Sequence, residues 1–145
     1  MIKSFKGQYA FLSNFYESPF SVDGITYPTV EHYFQAQKTL DIDERRKIAT
    51  ASTPGKAKRL GRQVKLRPDW EEVKDEVMKA GLRIKFSNPV LREKLLNTGD
   101  ESLEEGNWWH DNYWGVCYCE KCQDRIAHNH LGKALIELRD VIQTM

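Results

Sequence analysis

A chain of 145 residues that is 40% hydrophobic is long enough to bury a core, and we expect one domain over residues 1–145. Its 22 lysine and arginine residues nearly balance its 21 aspartate and glutamate residues, which argues against a polybasic coat for nucleic acid or a membrane surface. The apolar runs are too short to cross a bilayer and residues 1–6 lack the apolar stretch of a secretory signal, so we expect a cytoplasmic protein with reduced cysteines.

The pattern of apolar residues predicts a mainly α-helical fold with a small β-hairpin and short strands, α+β by loose criteria. Residues 2–5 are predicted as a short strand and residues 7–17 as a loop. Asp23-Gly24 is a two-residue hairpin turn signal within residues 20–27. Further helices are predicted over residues 41–51, 53–61, 69–86, 88–99 and 129–145.

Residues 29–38, TVEHYFQAQK, are the helix around which we expect the chain to be organised. Thr29 is suited to the N-cap position because its hydroxyl can accept a backbone N–H of the first turn. Glu31, Gln35 and Lys38 then fall on one stripe, opposite an aromatic face. Two interpretations remain open: a solvated helix face with a weak ion pair, or a functional row of carboxylate, amide and ammonium groups.

A second candidate is the aromatic and acidic stretch 103–115, LEEGNWWHDNYWG. An indole can stack on a planar base, and a carboxylate beside apolar rings can have its ionisation altered for acid–base chemistry. The alternative is that these tryptophans fill the core as a platform for the terminal helix.

The three cysteines form a third candidate, because Cys117, Cys119 and Cys122 have the CxC and CxxC spacing that lets thiolates reach one zinc ion. A structural zinc site normally has four protein ligands. The fourth would come from one of three histidines: His110, His128 or His130. The alternative is three free thiols in a reduced compartment.

A fourth feature is a set of basic residues after the central helix, which could receive a phosphate with help from the helix start at Thr53-Pro54. The set comprises Arg45, Arg46, Lys47, Lys56, Lys58, Arg59 and Arg62. A solvated charged face is the other interpretation. There is no Walker-type or Rossmann glycine pattern, so nucleoside triphosphate chemistry and hydride transfer have no support.

Several of these strings together closely resemble the NADAR family, the YbiA-like N-glycosidases. The likeness starts at FLSNF (11–15), passes through Asp23-Gly24 and is most specific in YPTVEHYFQAQK (27–38). It continues through AKRLGR (57–62), RPDW (67–70), positions 78, 80, 82, 85 and 86, LEE (103–105), position 111, YWG (113–115), NHLGKAL (129–135) and LR (138–139).

The resemblance implies a mainly α fold with a polar cleft, and hydrolysis of the bond between ribose C1 and a nitrogen base. One branch of the family resembles hydrolases of phosphoribosylamino-pyrimidines, which are early riboflavin intermediates, and another removes ADP-ribose from guanine in DNA. The chain departs from the first pattern after Gly115, where the cysteines replace a glycine-rich stretch. The resemblance therefore implies one of two substrate classes: a small ribosyl-phosphate compound, or an ADP-ribosyl compound carried on nucleic acid.

The resemblance and the helical stripe together assign Glu31 to stabilising the sugar cation and activating water. Lys38 would hold a phosphate or the leaving group, with Asp111 and Glu105 as reserve acid–base groups. Residues expected to bind the substrate are Asn14, Phe15, Gln35, Trp114 and Asn129, with Phe15 and Trp114 stacking on the base. This chemistry needs no cofactor. The rival hypothesis is a zinc-knuckle module that binds nucleic acid or ADP-ribose without turnover.

Overall fold

The computed structural model describes all residues 1–145 and contains six α-helices, two 3-10 helices and four short strands. The predicted mainly α fold with a hairpin and short strands is therefore confirmed. The chain divides into two compact units. The continuous unit is Asn14–Lys85, and the discontinuous unit combines Met1–Ser13 with Phe86–Met145. None of the helices has the length and apolar character needed to span a membrane.

The continuous unit contains one hairpin and four helices. In chain order these are β1 (Phe20–Val22), β2 (Ile25–Tyr27), α1 (Val30–Ala36), α2 (Ile42–Ala49), α3 (Pro54–Gly61) and α4 (Trp70–Lys85). The strands pair antiparallel with Val22 opposite Ile25, as the turn signal predicted. Asp23 and Gly24 have φ of 52° and 79°, and the favoured two-residue hairpin turns require such left-handed backbone.

The centre of the continuous unit is α1, which packs against α2, α3 and α4. Thr29 is its N-cap and accepts the backbone N–H of His32, as predicted. Every residue of α1 is buried, including Glu31 at 8% exposure. The interpretation as a solvated helix face was therefore wrong, because neighbouring helices cover both its aromatic and its polar sides.

The hydrophobic core of the continuous unit lies where α1 meets the hairpin and the next two helices. Its buried members are Ile25, Tyr27, Tyr33, Ala36, Ile48, Ala49 and Ala57. Tyr27 and Tyr33 meet edge to face with ring centroids 5.5 Å apart. This packing fixes the rotation of α1, and so fixes the direction of its polar residues.

The discontinuous unit contains mostly short elements. In chain order they are a 3-10 helix (Gly7–Leu12), α5 (Pro89–Leu96), β3 (Gly106–Asn107), β4 (Val116–Cys117), a second 3-10 helix (Glu120–Cys122) and α6 (His130–Gln143). β3 and β4 pair in parallel. The predicted strand over residues 2–5 was wrong, since only Ile2 forms a bridge, to Leu103. Part of the predicted loop over residues 7–17 is the first 3-10 helix.

The longest helix of the discontinuous unit, α6, buries Leu131, Leu135 and Ile142 as the predicted stripe requires, whereas Val141 is exposed. A Cβ on Gly132 would lie 2.1 Å from the carbonyl oxygen of Leu103. Glycine at this position therefore lets the first turn of α6 approach the chain that leads into the aromatic stretch.

Candidate active site

The carboxylate of Glu31 is oriented by a residue one turn further along the same helix. Gln35 Nε2 donates to Glu31 Oε1 at 2.9 Å, and both side chains are buried. This is the i, i+4 contact that the stripe predicted. The backbone N–H of Glu31, one of the first-turn donors without a helical partner, donates to the carbonyl of Asn14 at 3.1 Å.

The segment that leads to the hairpin therefore starts beside the backbone of Glu31. Asn14 is buried, its Nδ2 lies 3.3 Å from the sulfur of Met78, and its Oδ1 has no hydrogen-bond partner within the protein. A buried carbonyl oxygen without a partner is costly unless a ligand or water donates to it. Phe15 follows with about half of its surface exposed. Both of these predicted substrate-binding residues thus lie next to Glu31 in the chain fold.

Glycine at position 61 is required for the placement of the Gln35 amide. A Cβ there would lie 2.0 Å from Gln35 Oε1 and 3.0 Å from Gln35 Cβ. The same Oε1 is buried and makes no hydrogen bond within the protein. The amide of Gln35 is thus held between α1 and α3, with its nitrogen on Glu31 and its oxygen against Gly61.

Lys38 lies just after the end of α1, and its Nζ lies 6.0 Å from the centre of the Phe34 ring. Burial lowers the pKa of Lys38, the Glu31 carboxylate opposes this shift, and the positive charges of Arg62 and Lys58 add to it. Three basic residues and one carboxylate therefore share this region. The predicted basic set contributes Lys58 and Arg62 from the end of α3, and an anion such as a phosphate would relieve their mutual repulsion.

A further charged group, to which the sequence interpretation gave no role, lies at the end of α4. Lys85 is 1% exposed, and its burial lowers the pKa of the ammonium to about 7. Its Nζ lies 5.6 Å from the centre of the Tyr16 ring, two residues after Asn14. The signal in the sequence was the spacing of Met78, Leu82 and Lys85, which puts a lysine on the apolar stripe of an amphipathic helix.

In the discontinuous unit, Asp111 organises the aromatic stretch. Its Oδ1 accepts the backbone N–H groups of Tyr113 at 3.1 Å and Trp114 at 2.9 Å. The Trp114 ring meets the Tyr113 ring edge to face at 4.8 Å. These contacts give Asp111 a structural role, while its acid–base role stays a prediction.

The other reserve carboxylate, Glu105, is half-buried and accepts Asn107 Nδ2 at 3.2 Å. A Cβ on Gly115 would lie 1.9 Å from the Glu105 carboxylate and 2.0 Å from the Glu105 carbonyl. Asn129 Oδ1 accepts the Glu105 N–H and its Nδ2 donates to the Leu103 carbonyl. Both polar atoms of the Asn129 side chain thus bind the protein itself, and substrate binding by Asn129 stays a prediction.

The tryptophans do not behave as a group. Trp108 and Trp109 are 66% and 56% exposed, so the interpretation that they fill the core was wrong for this pair, whereas Trp114 is half-buried.

The candidate metal ligands lie close together. The ligand atoms of Cys117, Cys119, Cys122 and His110 are all within 4.8 Å of one another. The fourth member is therefore His110, and not His128 or His130.

The structure thus brings Asn14, Phe15, Glu31 and Gln35 together in the continuous unit, with Lys38 at the end of the same helix. Such a group can stabilise positive charge beside its carboxylate, hold an anion at its lysine and contact a planar ring. A surface cleft of about 380 Å³ in the same unit, lined by residues of 39–44 and 63–68, contains none of these candidate residues.

Three comparisons with known proteins bear on this arrangement. A family model described as the NADAR domain matches residues 2–143. The chain is 44% identical over 135 residues to N-glycosidase YbiA of Escherichia coli (strain K12), covering 91% of this chain and 81% of that protein. It is 38% identical over 143 residues to N-glycosidase Npun_R5314 of Nostoc punctiforme, covering 94% of this chain and 88% of that protein.

The chain is also similar to Riboflavin biosynthesis protein VVA0006 of Vibrio vulnificus, at 36% identity over 138 residues, which is 93% of this chain and 36% of that protein. The solved NMR structure of the E. coli protein YbiA superimposes with a TM-score of 0.81 at 40% identity, covering 99% of this chain and 88% of that one. The resemblance in the sequence, the fold and these matches agree, and the chain belongs to the NADAR domain family.

Proposed function

We propose that this chain hydrolyses the N-glycosidic bond between C1 of a ribose and a nitrogen base. Relatives named N-glycosidase, at 44% and 38% identity over most of the chain, make it a glycosidase rather than a binding module without turnover. The observation that carries the choice of residues is the buried Glu31 carboxylate, aligned by the Gln35 amide.

Cleavage of a ribose–base bond passes through a transition state with positive charge on the sugar. In our proposal the Glu31 carboxylate lies against that charge and accepts a proton from the attacking water. The water oxygen bonds to C1 while the electron pair of the C1–N bond leaves with the base. A carboxylate kept away from bulk water stabilises such a cation more strongly than an exposed one.

The departing base nitrogen needs a proton, and we propose Lys85 as its donor. A general acid works best when its pKa is close to the working pH, and burial lowers the pKa of Lys85 to about 7. Support for its position comes from Tyr16, whose ring it faces, and from Asn14 two residues earlier, whose carbonyl binds the Glu31 N–H. Asp111 and Glu105 remain the reserve acid–base groups.

We propose a phosphoribosylamino-pyrimidine as the substrate. Relatives named as riboflavin biosynthesis proteins support this choice, and so do Lys38, Lys58 and Arg62, whose charges suit a ribose phosphate. Phe15 offers an exposed ring on which the pyrimidine can stack, and the unpaired amide oxygens of Asn14 and Gln35 can accept hydrogen bonds from the ribose or the base. Trp114 stays the predicted second stacking residue.

The test incubates the protein with a phosphoribosylamino-pyrimidine and, separately, with a DNA oligonucleotide carrying ADP-ribosylated guanine, and follows base release by chromatography. We expect release from the first substrate. Release from the second alone would overturn the substrate assignment but keep the bond type. Binding of either compound without release would favour the binding module.

Glu31→Gln keeps the size of the side chain and can still meet Gln35. We expect kcat to fall by at least about 100-fold, the usual worth of a positioned acid–base group, with Tm nearly unchanged. Glu71→Gln, an exposed carboxylate of the same unit, is the matched control and should leave turnover unchanged. A Glu31→Gln variant that loses stability and activity together would make Glu31 a structural residue.

A further inference from the structure

The cysteines and His110 form a compact four-ligand cluster that the glycosidase chemistry does not use. His110 Nδ1 lies 3.3 Å from Sγ of both Cys119 and Cys122, and 4.0 Å from Sγ of Cys117. In a tetrahedral zinc site with Zn–S and Zn–N bonds of usual length, a nitrogen and a sulfur ligand lie roughly 3.6 Å apart. The three distances thus scatter around the value that zinc requires.

A disulfide does not account for this arrangement. It would join two of the three sulfurs and leave the third, and it would give no reason for an imidazole nitrogen to face all of them. Three thiols and one imidazole are the ligand set of Cys3His structural zinc sites. We propose that His110, Cys117, Cys119 and Cys122 bind one structural Zn²⁺ ion.

The backbone around the cluster also holds its four side chains in position for a metal ion. His110 has φ of 71°, a left-handed conformation that is uncommon outside glycine, and its N–H points at Cys117 Sγ at 3.3 Å. The N–H of Cys117 donates to Asn112 Oδ1 at 2.9 Å. These bonds hold the loop in the shape that turns the imidazole back toward the sulfurs, and they support the ligands as the surroundings of a metal site usually do.

The segment also needs a stabilising element of this kind. Between Leu103 and α6 the only regular structure is two strands of two residues and one turn of 3-10 helix, and large side chains such as Trp108, Trp109 and Ile126 are exposed. So little buried apolar surface does not offset the entropy of ordering more than twenty residues. A metal ion held by residues of 110–122 would supply that free energy, with release of the thiol protons.

Four protein ligands complete the tetrahedral shell, so the ion would have no open position for water or substrate. Its effect would reach the aromatic stretch through the chain itself. His110 precedes Asp111, whose carboxylate accepts the N–H groups of Tyr113 and Trp114. Removal of zinc should therefore loosen these rings.

The first experiment measures metals in the full chain, purified without a polyhistidine tag under reducing conditions from medium containing both zinc and iron. We expect one zinc per chain by plasma mass spectrometry. Replacement by Co²⁺ should give the intense visible bands and the charge-transfer band of tetrahedral cobalt bound to thiolates. Absence of zinc together with no stoichiometric uptake of added Zn²⁺ would overturn the proposal, and so would stoichiometric iron or a disulfide found by mass spectrometry.

Variants then assign the ligands. Cys119→Ser, at a partly exposed position, and His110→Ala should each lower zinc affinity at least about 10-fold in competition with a colorimetric chelator. His128→Ala is the matched control and should bind zinc as the wild type does. Full affinity in His110→Ala would overturn the fourth ligand. Tryptophan fluorescence gives a separate readout, because Trp108 and Trp109 adjoin His110 and their emission should change when zinc is removed. Cys119→Ser should show this change at a lower chelator concentration than the wild type.

Discussion

At the residue scale, Lys85 shows how strongly a buried charge can be tuned. Its pKa falls from 10.5 to about 7 because its ammonium is removed from water. In the unfolded chain the same group keeps its ordinary value, so between these two pH values the unfolded state binds more protons than the folded state. The free energy of unfolding therefore rises with pH between 7 and 10.5. It decreases as the pH falls toward 7, because the folded state must then bury a charged ammonium.

Lys85→Met tests both the free-energy cost of burying the Lys85 charge and the proposed role of Lys85 as proton donor to the leaving base. Methionine fills a similar volume without a charge, so we expect the variant to be more stable than the wild type at pH 7, with a difference that shrinks by pH 10. Its turnover should fall by about 100-fold or more, as for loss of a general acid. Chemical denaturation at the two pH values and kinetic assays provide the measurements.

The exposed Lys133→Met is the control for this experiment and should change stability by less than about 0.5 kcal/mol at both pH values. Equal destabilisation of Lys85→Met at pH 7 and pH 10 would contradict the lowered pKa of Lys85, because the effect of the substitution would then not depend on the charge.

At the element scale, the helix starts were predictable and the short elements were not. Thr29, Asp41, Thr53 and Asn88 each cap the helix that follows, because an N-cap is a local hydrogen bond between neighbours in the chain. The parallel pairing of β3 with β4 joins segments about ten residues apart, and no local pattern of two residues encodes it.

In the candidate site, too, local contacts could be predicted from the sequence and long-range packing could not. The contact between Glu31 and Gln35 follows from helical spacing alone. The burial of both residues could not be predicted, because it depends on α2, α3 and α4, which pack around α1. His110 could be named only as one of three histidines, since the fold of the loop decides which ring reaches the sulfurs.

Gly61→Ala tests how far α3 controls the carboxylate on α1. The added methyl would displace the Gln35 amide, so we expect kcat/KM to fall by about 10-fold, with a smaller effect when Gln35 is already alanine. Kinetics of the two single variants and the double variant measure this coupling. Gly55→Ala on the same helix meets only Thr53 Oγ1 at 3.9 Å and serves as control. Additive effects would show that Gly61 does not act through Gln35.

His32 on α1 should give the unit a pH-dependent stability. Burial lowers its pKa, partly offset by the Ala51 carbonyl, to which its Nε2–H donates at 2.9 Å. The folded state thus prefers neutral His32, and its contribution is complete above the unfolded pKa of about 6.5 and is lost as the pH falls below it.

His32→Gln should be less stable than the wild type at pH 8, and the difference should narrow by pH 5. Urea denaturation across this range measures it, and His128→Gln, at an exposed position, is the control. A difference that stays constant between pH 8 and pH 5 would contradict the assignment.

At the scale of the whole molecule, the discontinuous unit is closed by contacts between distant parts of the chain. The N–H of Ile2 donates to the Ser102 carbonyl at 2.9 Å, and the N–H of Glu104 donates to the Ile2 carbonyl at 2.8 Å. The Ile2 side chain is buried. About a hundred residues separate the partners. A few hydrogen bonds and buried apolar side chains must therefore offset the entropy lost in closing this loop.

Ile2→Ala should therefore lower the free energy of unfolding by about 2–4 kcal/mol, the usual cost of truncating a buried isoleucine. Val90→Ala, at an exposed position of α5 in the same unit, should cost less than about 0.5 kcal/mol. Denaturation in urea, monitored by circular dichroism, compares the two variants. A loss for Ile2→Ala no larger than that for Val90→Ala would show that the first residues do not stabilise this unit.

The complete enclosure of α1 affects how a saturation mutagenesis map of this protein would read. All seven positions of Val30–Ala36 are enclosed, whether their side chains serve catalysis or packing. If Glu31 has the role proposed above, a growth-based screen would score Glu31 and Phe34 as equally intolerant, the first for lost turnover and the second for misfolding. Only a screen that counts cellular abundance alongside product would tell the two apart.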